Sequence, residues 1–194
     1  MSTMALTVAA AVSCSSPQPQ PAAPMPVAVA PIRDIMHNLV EYNAFKIFNS
    51  VAVTITAKGT EEKMPRTDED WDDLLHAAVT LAEAPNLLVM PGRRVSKPEE
   101  ENSSDGPEEL TPKDIQVKID ANRDSWLKHV TALQNVGKET MQIVAAKNTQ
   151  GLFDVGEKID MVCENCHLEF WYPNEAAANA ARESGAAKPS NAKP

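Results

Sequence analysis

The chain has 194 residues, 43% of them hydrophobic and 5% aromatic, with 7 glycines; this suits a helical domain with a real core better than a β-sandwich. Its 18 basic and 27 acidic residues leave a formal net charge of −9, which argues against nucleic acid as the partner because neutralising phosphates takes clustered Lys and Arg. An acidic surface keeps a protein soluble or steers a basic redox partner toward it.

Residues 1–14 read as an export signal. Residues 4–12 form an apolar run, too short for a membrane span, which takes about 20 apolar residues. Cys14 follows small residues at the end of that run, as the acceptor cysteine of a bacterial lipoprotein does. Either it is lipidated and tethers the protein to a membrane, or the chain is cleaved nearby, and both place the protein in the periplasm. Residues 15–30 are rich in Pro, Ala and Gln and carry no charge, so they read as an extended tether.

Four segments then show helical period. The first is expected over residues 32–53, with Ile35, Met36, Leu39, Val40, Ile47 and Val51 as its apolar side. The second starts after Thr67, which has Asp70 three residues on in the manner of a capping box, and its stripe is Trp71, Leu74, Leu75, Ala78, Leu81 and Ala82. Pro85 is expected to end or kink it. Residues 91–105, with Gly92, Arg93 and Arg94, read as a polar loop.

The third helix opens with Thr111 as cap and Pro112 at the first helical position, and repeats Ile115, Ile119, Trp126, Val130, Leu133 and Val144, with Gly137 expected at a bend or irregular turn. The fourth begins near Asn148 or Thr149, puts Leu152, Val155, Ile159, Val162, Cys163, Cys166 and Phe170 on one face, and is closed by Pro173. Residues 174–194 form a disordered or partly helical tail. The pattern predicts an all-α fold, an antiparallel up-down-up-down four-helix bundle over residues 31–173.

The chemistry-bearing motif is Cys163-Glu164-Asn165-Cys166-His167, a C-x-x-C-H run of the kind that attaches c-type haem. On a helix, cysteines three apart share a face, so each sulfur can form a thioether to one vinyl group of the same porphyrin. The histidine four after the first cysteine lies on that face and offers its imidazole to the iron. The other readings explain less. A thioredoxin-like pair starts a helix after a strand, zinc needs a fourth ligand that no second C-x-x-C or H-x-x-x-H supplies, and a structural disulfide leaves the adjacent histidine without a role. One covalent haem c is therefore the expected cofactor.

A C-x-x-C-H motif in the last helix of a bundle resembles the cytochrome c prime family of four-helix-bundle, class II c-type cytochromes. The resemblance covers residues 32–173 and rests on Cys163, Cys166 and His167 together with the first-helix segment Ile32-Arg33-Asp34-Ile35-Met36. Low-spin members supply a methionine from early in the first helix, and Met36 matches that position. The resemblance implies Met36 and His167 as axial ligands.

Bundle geometry points the same way, since the first and last helices of an up-down-up-down bundle are antiparallel neighbours and bring Met36 level with His167. His37 is the nearest rival but sits about 100 degrees around an α-helix, facing away. His76 falls off its stripe, and His129 borders the stripe of the third helix. Arg33, Arg93 and Arg94 are candidates to pair with haem propionates. Phe170, Trp171 and Tyr172 are expected to pack over the haem edge or to seal the end of the bundle.

The expected function is outer-sphere electron transfer to redox partner proteins, because His and Met together fill both axial positions. The alternative is a gas-binding or gas-sensing haem protein with a vacant distal side, merely lined by Met36. No set of acid and base residues surrounds the motif, so no enzymatic activity is expected. Homodimerisation through the first two helices is implied by the family resemblance alone.

Overall fold

The computed structural model describes residues 26–104, 106 and 109–175; Cys14 with the rest of the expected export signal, most of the tether, and the tail beyond residue 175 lie outside them. The described chain is mostly helical, with one small two-stranded sheet. No described helix is long and apolar enough to cross a membrane.

The first helical segment has three parts: α1 (Ile32–Ile35), a π-helical turn (Met36–Glu41) and α2 (Tyr42–Phe48). It buries Ile32, Ile35, Val40, Ala44 and Ile47. The segment stops at Phe48, short of the expected residue 53. Beyond it the β-branched Val53, Thr54, Ile55 and Thr56 favour extended backbone. A hairpin follows, with β1 (Ala52–Thr56) antiparallel to β2 (Gly59–Lys63) and Gly59 at φ +130 opposite Thr56, a torsion open mainly to glycine.

α3 (Asp68–Leu88) starts at the expected capping box. Thr67 Oγ1 accepts from the Asp70 amide at 3.1 Å and Asp70 Oδ2 accepts from the Thr67 amide at 2.9 Å. Pro85 does not end the helix, which runs one further turn to Leu88. The expected third helix is two: α4 (Pro112–Ala121), capped by Thr111, and α5 (Arg123–Ala145), separated at Asn122, whose φ of −123 and ψ of 45 leave the helical region. Gly137 makes no irregular turn. It lies inside α5, where an added Cβ would come within 2.6 Å of the Ala82 backbone nitrogen, so its role is to let α5 and α3 approach.

α6 (Thr149–Phe170) is capped by Asn148, whose side chain accepts from the Gly151 amide at 3.0 Å. α3 packs on α2 and α5, and α6 packs on α5 and α2. The shared core runs through Ile47, Leu81, Trp126, Leu152, Val155, Ile159 and Phe170. The loop between α3 and α4 is pinned at both ends. The Ile32 amide donates to Arg94 O at 2.8 Å and the Leu110 amide to Trp171 O at 2.9 Å, which holds Leu110 against the end of α6.

Candidate functional site

α6 carries its apolar stripe through Leu152, Val155 and Ile159 into the core. Extended by the same period, that stripe brings Cys163, Cys166 and His167 onto the inward side, each half-buried. Both cysteines are free thiols. They fall in the last third of the helix, so they lack the helix N-terminus that depresses the thiol pKa in thioredoxin-like pairs.

Two cavities meet at this surface. The larger, about 820 Å³, is walled by Met36, Val40, Ala44 and Phe48 from the first segment, by Cys163 and His167 from α6, by Trp171 and Tyr172, and by Glu100, Ser103 and Glu109 from the loop. A smaller cavity of about 30 Å³ shares Met36, Cys163, His167 and Trp171 with it and adds Cys166, Trp126 and Leu133. The elements thus bring Met36, Cys163 and His167 to one place, with Cys166 facing the inner space.

The electrostatics suit thiols held as neutral groups. Burial, helped by the charges of Asp160 and Glu164, pushes the Cys163 thiol up to about 11; burial, with Cys163 and Glu169 adding to it, pushes Cys166 up to about 12. Burial also lowers His167, against the opposing pull of Glu164, Glu41 and Glu109, so near neutral pH its imidazole keeps a free lone pair. The ring is held between Trp171, 5.8 Å away centroid to centroid, and Tyr172 at 6.2 Å. Among the described residues no three His, Cys, Asp or Glu side chains converge as a bare metal ion would need.

These shifts set a pH dependence. A raised folded-state value means that the unfolded chain ionises first, so the contribution of the two protonated thiols to stability is complete below pH 9.0 and is lost as pH rises from there through about 11 for Cys163 and about 12 for Cys166. The haem-free polypeptide is expected to react with iodoacetamide at pH 8 about 100-fold more slowly at Cys163 than after denaturation, since thiolate is the nucleophile. Equal folded and denatured rates would contradict this.

The remaining candidates separate. Arg33 lines the larger cavity. Arg93 and Arg94 line neither of these cavities, because the buried Arg93 guanidinium clasps backbone carbonyls, donating from Nε to Leu87 O at 2.5 Å and from Nη1 to Ala30 O. His37, placed by α-helical period on the far side, stands on the rim of the larger cavity with its side chain 79% exposed and Nδ1 2.9 Å from Glu41 Oε2. The π-helical turn widens the helix and alters which residues share a face. His76 is exposed. His129 is half-buried, 2.8 Å from Glu169 Oε2 and edge-on to Phe170.

Of the three aromatics after the motif, Phe170 seals the core against Trp126, while Trp171 and Tyr172 face the cavity. Sequence reasoning missed Phe45 and Phe48, an edge-to-face pair on the cavity wall whose spacing of three was the available signal. Trp126, expected on the stripe of the third helix, is 2% exposed and lines the smaller cavity, and its indole N–H finds no acceptor among the described residues. No family model, curated protein or solved structure matches this chain.

Proposed function

We propose that the chain is an exported c-type cytochrome, a four-helix bundle that carries one covalent haem c and passes single electrons to redox partner proteins in the periplasm. The observation that carries this reading is the meeting of two free thiols, one neutral imidazole and a methionine on the walls of two adjoining cavities. The residues fit the group. A space of about 820 Å³ falls in the 300–1,000 Å³ range of cofactor sites, and the unpartnered Trp126 indole supplies a buried donor that a bound group or its water can satisfy. The pairing of α2 with α3, α3 with α5, α5 with α6 and α6 with α2 supports the bundle.

In this reading Cys163 and Cys166 would hold the porphyrin by thioethers, His167 and Met36 would offer the iron an imidazole and a thioether, and Arg33 would pair with the propionates. Held by these residues, haem would supply a one-electron iron centre with no position open to substrate, which suits outer-sphere electron transfer. Trp171 and Tyr172 keep the His167 ring from turning, and the buried aromatic layer of Trp126 and Phe170 shields the inner side from water. The high thiol pKa values keep the unloaded pair out of disulfide exchange at neutral pH. A lipid on Cys14 is the proposed membrane tether.

The protein exported to the periplasm and purified is expected to retain haem stain on a denaturing gel and to give a low-spin reduced spectrum unchanged by carbon monoxide. A colourless protein with both thiols open to alkylation would overturn the reading. A covalent haem whose spectrum shifts with the gas would favour the gas-binding alternative.

A further inference from the structure

In a chain of net charge −9, three arginines line a separate cavity of about 380 Å³. Arg93 and Arg94 come from the loop after α3 and Arg123 from the first residue of α5, and the only carboxylate on the wall is Asp120. Asp120 is engaged, its Oδ1 accepting from Gln116 Nε2 at 3.0 Å. The arginines have neutral acceptors: Arg93 donates to Leu87 O, Ala30 O and Met90 Sδ, and Arg123 Nη2 to Val89 O at 3.3 Å. Among the described residues none of the three forms an ion pair.

Arg93 is only 9% exposed, and a charge so buried is ordinarily paired. The carbonyls at the end of α3 contribute about half an elementary charge, too little to balance three cations. Three positive charges against one negative leave a surplus of two, which matches a phosphate group that is close to dianionic at pH 7. A single carboxylate is satisfied by one bidentate arginine; three guanidinia suit a group with more acceptor oxygens. The apolar floor of Ile32, Leu88 and Ile119 lowers the local dielectric and strengthens the attraction. On the wall, the exposed Gly92 at φ +76 has no atom within 4 Å of where a Cβ would stand.

We propose that this cavity binds a phosphate group, either free or on a lipid headgroup. Arg94 and Arg123 reach it from its open side, and Arg93 supplies the buried charge beneath. The site is independent of haem, since Arg93, Arg94 and Arg123 line neither cavity at the cysteine motif.

The test titrates the purified full-length protein with potassium phosphate at ionic strength held constant with potassium chloride, following heat of binding and thermal midpoint. In parallel it measures co-sedimentation with phosphatidylcholine vesicles with and without phosphatidic acid. Saturable binding of phosphate is expected, weakened about tenfold or more by Arg94→Gln and by Arg123→Gln and unchanged by Arg66→Gln, an exposed arginine just before α3 that does not line this cavity. Arg94 is exposed, so its variant folds and keeps the comparison valid. Retention only by vesicles containing phosphatidic acid, lost in Arg94→Gln, would support the site and identify a headgroup as the source. Absence of both kinds of binding, or binding indifferent to Arg94 and Arg123, would overturn it.

Discussion

Met36→Ala is expected to turn a low-spin haem spectrum into a high-spin one that shifts on adding carbon monoxide, while the haem stays attached on a denaturing gel. The two readouts separate because they depend on different elements. In the proposed reading attachment would rest on Cys163 and Cys166 of α6, whereas Met36 is the first residue of the π-helical turn and lines both cavities. Removing its thioether would open the distal side without touching the proposed thioethers on α6. His37 stands on the rim of the same cavity, tied to Glu41 at 2.9 Å, and it is the side chain best placed to take over. A Met36→Ala spectrum that stays low-spin but turns high-spin in Met36→Ala/His37→Ala would mean such a takeover. One that stays low-spin in both removes Met36 from the site.

Gly137→Ala is expected to lower stability by about 2 kcal/mol, although alanine is the better helix former. The propensity gain is about 1 kcal/mol. Against it, the new methyl would meet the Ala82 nitrogen at 2.6 Å and the Leu81 carbonyl carbon at 2.7 Å, and these are backbone atoms of α3 that no rotamer change can move. Forcing packed elements apart costs about 3 kcal/mol at the upper end of overpacking effects. The balance corresponds to a fall in Tm of about 4–8 °C, measurable by thermal denaturation. An unchanged or raised Tm would show that α3 and α5 separate without loss.

How much of this could be seen in the sequence depended on whether the signal was local. The Thr67 box, the Thr111-Pro112 start and the Asn148 cap each act within four residues, and all three are where their side chains say. The face shared by Cys163, Cys166 and His167 also follows from spacing within one helix. The misses are places where tertiary packing competes with a local rule. Pro85 gives up one backbone hydrogen bond, yet the buried Ala84, Pro85 and Leu88 hold the helix on through it. Gly137 looks like a breaker until the opposite helix is known.

The site divides in the same way. Motif chemistry is written in α6. Met36 is expected beside His167, but the presence of His37 on the same wall goes with a π-helical turn that no residue type announces, and the burial of Arg93 depends on carbonyls from residues 30 and 87, brought together only by the fold. An arginine beside a glycine in a polar loop reads as a surface charge until those partners appear.

A π-helical turn is, in effect, an α-helix carrying one residue too many. Losing any single residue from the span 36–41 would let ordinary hydrogen bonding run through and swing everything before it by about 100 degrees. Ile32 and Ile35, now 2% and 4% exposed, would rotate out toward water. The packing of Ile32 and Ile35 therefore fixes the length of this stretch over evolutionary time, and an in-frame deletion there should be costly to any lineage that carries it.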